Sequence, residues 1–170
     1  MKANKRNLKY RYAQVADAEA LAEVYILAKE NKRLSQYELD ERQSIRASKI
    51  HDLQKKLAPD SGYQGLIVSL NDKMVGFTCY RHEPSNEVHI EDLHALYNVG
   101  SALHKKLVMI KDEAEAITLF ATGSAQTAYE RWGYGYEMPD GHMKLAGSAL
   151  KKWRQSMAGR FPRYQILPPD

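Results

Sequence analysis

Three side chains that can take up and release protons stand close together in the sequence: His89, Glu91 and His94. The ordinary pKa of a histidine, about 6.5, suits proton transfer near neutral pH. A carboxylate can also act as a base, although a solvated carboxylate on a strand is the simpler interpretation of Glu91. The six histidines show no His-Glu-x-x-His spacing, so the sequence predicts no metal site. It also lacks a Gly-x-Ser-x-Gly nucleophile turn and a Walker loop.

The stretch that carries these groups has the composition of a β-strand. On a regular strand, alternate side chains face opposite sides. One side is then expected to hold Val88, Ile90 and Asp92, and the other His89, Glu91 and Leu93. The same alternation predicts that His89 and His94 point to opposite faces of the sheet.

The composition is that of an ordinary globular protein. The chain has 170 residues, 44% of them apolar and 27% charged, which predicts one domain with a core of its own. The single cysteine, Cys79, excludes an intramolecular disulfide and favours a cytoplasmic location. Because it alternates with Phe77 on a strand, we expect it to be buried and inert. No apolar run approaches the ~20 residues that cross a bilayer, so no membrane contact is predicted.

The positive charge is concentrated at the C-terminus. The last 23 residues hold five of the 25 basic side chains and one of the 21 acidic ones, which leaves 20 of each in residues 1–147. A local basic patch can attract an anionic partner, although a solvated helix face is the simpler interpretation.

Hydrophobic periodicity predicts the order β-α-α-β-β-β-α-β-α-β-β followed by a tail helix. The predicted strands are Leu8–Ala13, Leu66–Leu70, Met74–Arg81, Val88–Leu93, Ile117–Ala121, Tyr134–Glu137 and His142–Ala146. The predicted helices are one capped by Asp17, then Glu38–Leu57, Val99–Ile110, Ser124–Trp132 and a tail helix from Ser148 to Gly159. Hairpins followed by β-α-β-α favour a mixed sheet of the α/β (α+β) class.

Four segments in this order resemble the GNAT acetyltransferase superfamily over residues 8–146. They are Tyr10–Ala13 with Asp17–Glu23, then Ile90–Leu93, then Val99–Leu103, and the pattern Thr122-x-x-Ala125-x-x-x-Tyr129-x-x-x-Gly133-Tyr134. The resemblance implies a GNAT-like central mixed sheet flanked by helices, with a helical extension at the C-terminus.

The resemblance also implies a site for acetyl-CoA at the start of the Val99 helix. The unpaired N–H groups of a helix N-terminus attract a diphosphate, and small residues let the backbone approach it. The cofactor-binding residues it implies are Leu93, Ala95, Asn98, Val99, Gly100, Ser101, Ala102, Thr122 and Ala125. It assigns Tyr129 the role of general acid to a leaving thiolate, and Glu91 that of general base. The alternative for Tyr129 is an aromatic residue that only packs on its helix. His89 and His94 are further candidates for the base, because they lie near Glu91 and their ordinary pKa suits proton transfer.

The diphosphate loop departs from the family pattern Gln/Arg-x-x-Gly-x-Gly/Ala. One register puts Ala95 at the first position and Asn98 at the first glycine, while another puts Tyr97 first and keeps Gly100 and Ala102. The loop is also several residues shorter than usual for the family. We therefore expect it to offer fewer N–H donors to the diphosphate.

The predicted function is transfer of an acetyl group from acetyl-CoA to a primary amine of a small molecule or protein, by direct attack. The resemblance implies that the first two helices shape the acceptor pocket. The carboxylates there that could attract a cationic amine are Glu38, Asp40 and Glu41, although solvated charges on an exposed helix are the simpler interpretation. The alternative is a binding module with the same fold that does not catalyse. Its basic tail would then contact an acidic protein or, as a less favoured partner, nucleic acid.

The chain is expected to divide into a GNAT-like domain, residues 1–147, and a basic helix and tail, residues 148–170. Leu150, Trp153 and Met157 share one face of the predicted tail helix. We expect this face to pack on the domain or on a second copy in a homodimer. The cations expected on its other sides are Lys151, Lys152 and Arg154.

Overall fold

A computed structural model describes residues 7–30, 39–121, 124–137, 141–157 and 166–167. Its strands are β1 (Leu8–Tyr12), β2 (Tyr63–Leu70), β3 (Lys73–Glu83), β4 (Glu87–Ala95), β5 (Ala116–Phe120), β6 (Gly135–Glu137), β7 (His142–Ala146) and β8 (Ile166–Leu167). Its α-helices are α1 (Ala18–Glu30), α2 (Leu39–Leu57), α3 (Gly100–Ile110), α4 (Ser124–Arg131) and α5 (Gly147–Met157), and a short 3-10 helix spans Val15–Asp17.

The strands form one mixed sheet in the order β6-β7-β5-β4-β3-β2-β1-β8. The pairs β4–β5 and β1–β8 are parallel, and the other neighbouring pairs are antiparallel. The β2–β3 hairpin turns at Asn71 and Asp72, whose φ angles of 51° and 64° suit a two-residue hairpin turn. A mixed sheet flanked by helices confirms the predicted fold class.

The buried side chains form two clusters, one on each side of the sheet. The successive residues Leu66 and Ile67 belong to different clusters, as the alternation of side chains along a strand requires. The cluster beneath α1 and α2 includes Leu21, Ala22, Leu53, Leu57, Ile67, Phe77 and Cys79. The larger cluster, beneath α3 and α5, includes Tyr10, Leu66, Tyr80, Val88, Ile90, Leu103, Leu107, Ile117, Leu145 and Leu150. Cys79 is fully buried, which confirms that expectation, and burial raises the pKa of its thiol to about 12.

A β-bulge interrupts β4 at Glu91. Tyr80 pairs with Ile90 while its neighbour Cys79 pairs with Asp92, so Glu91 is one residue more than β3 can match. The extra residue turns Asp92 to the side of α1 and α2. The expectation that Asp92 shares a face with Val88 and Ile90 is therefore wrong.

The same bulge corrects two further expectations about β4. Leu93 packs with the cluster of Val88 and Ile90 instead of lying on the side of His89. His94 lies beside Phe77, in the cluster under α1 and α2, and so shares a face with His89. The prediction that the two histidines point to opposite faces is wrong, because it assumed an unbroken alternation.

The described part of the C-terminal tail packs on the domain and adds a strand to its sheet. On α5, Leu150 is buried and Trp153 packs against the larger cluster. Residues 166–167 form β8, a strand that the sequence analysis did not predict, parallel to β1 with Tyr10 opposite Ile166. The side chain of Met157 lies outside the described residues. In the described part of the chain, no helix is long and apolar enough to span a membrane.

Candidate functional site

A gap opens in the sheet where β4 and β5 part. The two parallel strands pair only from Glu87–Ile90 and Ala116–Leu119, yet β4 continues to Ala95. The last residues of β4 therefore have no ladder partner on the β5 side within the described ranges. Each strand leads to a helix, α3 after β4 and α4 after β5. A crevice at the carboxyl ends of parallel strands is where α/β sheets bind ligands.

The N-terminus of α3 lies at this crevice. Tyr97 and Asn98 adopt left-handed φ angles of 55° and 59°, which turn the chain from β4 into the helix within a few residues. The N-cap residue, Val99, makes no side-chain hydrogen bond to the helix. The first N–H groups of α3 thus lack a cap from that residue, and the helix dipole adds partial positive charge there.

Small residues leave space at this helix start. A Cβ built on Gly100 would come no closer than 3.8 Å to Ala95 and 3.9 Å to Leu93, so this glycine is not required by packing. Val99 and Ala102 are buried, whereas Gly100 and Ser101 are partly exposed at the helix start. The backbone N–H groups of the first turn of α3 therefore suit an anionic group such as a diphosphate.

The structure brings most of the predicted cofactor residues together at the crevice. Those at the end of β4 and the start of α3 are Leu93, Ala95, Asn98, Val99, Gly100, Ser101 and Ala102. Ala125 lies on α4, half-buried against the larger cluster. Thr122 lies outside the described residues.

Tyr129 lies half-buried on α4. Its ring makes edge-on contacts with Trp132 and Tyr134, at centroid distances of 5.3 and 5.4 Å. Burial raises the pKa of its phenol to about 12. The hydroxyl therefore stays protonated throughout the physiological range, as a proton donor must before the reaction.

The Glu91 carboxylate projects from the bulge and is paired with Arg81. The Arg81 guanidinium also donates to Glu83 and to the Tyr63 hydroxyl, so it is fixed between two strands. Sequence reasoning missed Arg81, because its partnership with Glu91 depends on the register of β3 against β4. The pairing holds the carboxylate in place beside the gap.

His89 is buried beside Glu91. Its Nδ1 lies 2.8 Å from the Thr118 hydroxyl on β5, and its Nε2 lies 3.8 Å from a Glu91 oxygen. Burial, with a further contribution from Arg81, lowers the pKa of this histidine. The imidazole is therefore neutral at pH 7 and can accept a proton.

Asp92 forms a buried ionic network with α2. Its two oxygens bind Lys49 and Lys56, the latter at 2.8 Å, and His94 Nε2 lies 3.2 Å from one of them. Burial by itself would raise the pKa of Asp92, but the hydrogen bond from His94 and the two ammonium groups hold it well below its usual range. This network, which sequence reasoning missed, fixes α2 to the strand that carries Glu91.

An exposed aromatic patch continues from His89 across β5 and β7. The rings of Phe120 and His142 lie 4.9 Å apart, and Phe120 lies 5.6 Å from His89. Phe120 is 61% exposed, so its ring faces solvent next to the gap. Of the carboxylates expected near an acceptor, Glu41 is exposed on α2, and the side chains of Glu38 and Asp40 lie outside the described residues.

Comparisons with solved structures show that the fold is that of the GNAT acetyltransferases. PaiA N-acetyltransferase from Thermoplasma acidophilum, solved in complex with coenzyme A, is 17% identical with a TM-score of 0.66, over 81% of this chain and 97% of that one. An acetyltransferase from Thermus thermophilus is 15% identical with a TM-score of 0.60, over 81% and 94%. One of the GNAT family from Staphylococcus aureus is 16% identical with a TM-score of 0.57, over 81% and 96%. No protein-family model and no curated protein sequence matches the chain.

Proposed function

We propose that this protein is an N-acetyltransferase that uses acetyl-CoA to acetylate a primary amine. The observation that carries the proposal is the crevice between β4 and β5, with the N-terminus of α3 directly beside it. A solved protein of the same fold, itself an N-acetyltransferase, was crystallised with coenzyme A. In the proposed complex acetyl-CoA supplies an activated thioester, and the chain binds, orients and moves protons.

The start of α3 would hold the diphosphate of the cofactor. The backbone N–H groups from Gly100 to Ala102 provide donors at the positive end of the helix dipole. The unpaired edge of β4, from Glu91 to Ala95, would then lie alongside the rest of the cofactor. The short turn at Tyr97 and Asn98 adds few further donors.

The proton transfers are proposed to involve one acid and one base. Tyr129 would protonate the leaving thiolate, since a phenol is protonated at neutral pH and carries a proton to give. Glu91 would take a proton from the attacking amine, directly or through water, and Arg81 fixes its position. His89, neutral and 3.8 Å from Glu91, is the second candidate for the base.

Binding and turnover of acetyl-CoA test the proposal. A ligand at 100 times its Kd stabilises the folded state by about 2.7 kcal/mol, which a thermal-shift measurement detects. Release of free thiol from acetyl-CoA should then be measured with polyamines, α-amino acids and lysine-containing peptides as acceptors. The expected result is a shift with the wild type and thiol release with at least one class of amine.

Two matched variants locate the binding site. Gly100→Glu puts a carboxylate where the diphosphate would lie, and the expected result is loss of the thermal shift. Gly135→Glu is the control, because nothing lies within 4 Å of a Cβ at that exposed position on β6. No shift at millimolar acetyl-CoA with the wild type would contradict the proposal and favour a binding module that does not catalyse.

A further inference from the structure

A groove outside the gap between β4 and β5 is formed by α3, α5 and the end of α4. Its volume is about 330 Å³, and its lining residues are Ser101, Lys105, Trp132, Lys152 and Trp153. Ser101 belongs to the first turn of α3, so one end of the groove meets the proposed diphosphate site. Ligand pockets commonly range from about 300 to 1,000 Å³, and this one lies at the small end.

Two cations stand on different walls of the groove. Lys105 follows Ser101 by one helical turn and therefore lies on the same face of α3. Its Nζ lies 5.8 Å from the ring centroid of Trp153. Lys152 projects from α5 and is exposed. Among the residues that the structure describes, no acidic side chain lines the groove, so its local charge is positive.

The two tryptophans are held rigidly. Trp153 Nε1 donates a hydrogen bond to the carbonyl oxygen of Trp132, and the two rings lie 6.0 Å apart and nearly perpendicular. The fully buried ring of His104 packs against both tryptophans, at 4.6 Å from each centroid. Its Nε2 forms a hydrogen bond with the Tyr134 hydroxyl. Side chains fixed in this way present aromatic surfaces without a further cost in conformational entropy on binding.

A fixed aromatic surface flanked by cations is suited to a ligand that joins a flat ring to phosphate groups. A ligand whose diphosphate lay at the first turn of α3 would pass Ser101 on its way into the groove. We infer that the groove binds the phosphorylated adenosine end of coenzyme A, with Lys105 and Lys152 on the 3′-phosphate. This inference rests on the proposed function, and it makes the C-terminal helix α5 part of the cofactor site.

The affinity for coenzyme A relative to 3′-dephospho-coenzyme A tests the inference directly. Titration calorimetry should show that the wild type binds coenzyme A about tenfold more tightly, because charge-assisted contacts to one phosphate are lost in the dephospho form. Lys105→Ala and Lys152→Ala should each reduce this ratio, and the double variant should bring it close to one. Lys151→Ala is the matched control, since Lys151 is exposed on the same helix and does not line the groove.

A second readout uses the tryptophans of the groove. Adenosine 3′,5′-bisphosphate, which lacks the pantetheine arm, should quench tryptophan fluorescence and compete with coenzyme A. The quenching should weaken as salt is raised, because exposed charges are screened. If coenzyme A binds but the ratio is one in the wild type, or unchanged in the double variant, the inference is wrong and the proposed function stands. If neither coenzyme A nor acetyl-CoA binds, the proposed function fails as well.

Discussion

Tyr129 is the residue proposed as the general acid. Burial raises the pKa of its phenol to about 12, and its ring packs between Trp132 and Tyr134. Tyr129→Phe removes only the oxygen and keeps the ring contacts. We expect kcat to fall by about 10²–10⁴, the usual contribution of a general acid, while the Kd for acetyl-CoA stays the same.

Steady-state kinetics and calorimetry on the same preparation test this prediction for Tyr129. Tyr136→Phe serves as the control, because Tyr136 is an exposed phenol on β6 whose hydroxyl contacts only Glu130 among the described residues. Unchanged turnover in Tyr129→Phe would make this tyrosine a packing residue. An equal loss of turnover in the control would mean that the assay reports stability and not chemistry.

Glu91 and His89 are the two candidates for the base. We expect Glu91→Gln to lower kcat by about 10²-fold or more, since an amide cannot accept the proton of the amine. His89→Gln should lower it less. A rate that depends on neutral His89 falls as the pH drops through the lowered pKa of that histidine, below about 6.5, and is flat above it.

The pH–rate profiles of the two variants separate the candidates. If Glu91 is the base, His89→Gln retains most of the activity, and Glu91→Gln is slow at every pH. The reverse order, with the fall in rate below about pH 6.5 abolished in His89→Gln, would make His89 the base. Thr118→Val gives an independent check on His89, because it removes the hydroxyl 2.8 Å from Nδ1 and keeps the shape of the side chain.

The sequence could name Glu91, His89 and Tyr129 because proton-transfer groups are recognisable by type. It could not name Arg81 or Thr118, which lie 10 and 29 positions from the residues they contact. Such partners depend on strand register, and register is a property of the assembled sheet. The role of each site residue therefore remains a prediction, although the partners of Glu91 and His89 are now defined.

Among the secondary-structure elements, β4 contains a bulge that the alternation of apolar and polar residues could not predict. The alternating pattern predicted the strand itself, since Val88 and Ile90 do share a face. It failed at Glu91, because one inserted residue reverses the facing of every residue after it. The reversal places Asp92 against α2 and so creates the buried network with Lys49 and Lys56.

The stability of the protein should depend on this network. Asp92→Asn leaves Lys49 and Lys56 partly buried without their main counter-charge, although Asp52 still contacts both. Breaking one side of a buried ion pair typically costs about 3–5 kcal/mol, and we expect about 3 kcal/mol here. Urea unfolding at pH 7 measures it. The control, Asp72→Asn, breaks the exposed pair with Lys9 and should cost under about 1 kcal/mol.

The pH dependence of unfolding gives the same network a second test. The pKa of Asp92 is lowered in the folded state, so its contribution is complete above the unfolded pKa of about 3.9 and is lost as the pH falls below it. The wild type should therefore lose more stability than Asp92→Asn between about pH 5 and pH 3. Parallel losses in the two proteins would show that Asp92 is not the residue responsible.

At the scale of the whole molecule, the tail is bound more closely to the fold than a division at residue 147 suggests. The Arg154 guanidinium donates to the carbonyl oxygens of Lys111 and Ala114, just beyond the end of α3. β8 adds to the free edge of β1. The sequence predicted the amphipathic α5 from its apolar spacing. It could not predict β8, because a two-residue strand carries no periodic signal.

Packing, more than charge, should hold α5 on the domain. Trp153 packs against His104 and Trp132 and bonds to a backbone carbonyl, whereas Lys151 and Lys152 are exposed. Removing a large, partly buried side chain should cost about 2–3 kcal/mol. Ion pairs of exposed lysines add under about 1 kcal/mol each. We therefore expect Trp153→Ala to lower the free energy of unfolding clearly, and Lys151→Ala with Lys152→Ala to change it little.

Urea melts with light scattering on both variants distinguish the ways in which α5 could act. Because Leu150 is buried in the core of its own chain and Trp153 packs against that core, the Trp153→Ala loss should appear in a monomer and at every protein concentration. A loss that depends on concentration, with a fall in mass, would instead mean that α5 holds a homodimer together. If the double lysine variant were the less stable of the two, charge and not packing would hold α5 in place. The tail would then be an electrostatic contact arm, because its cations would contribute more to stability than its apolar face.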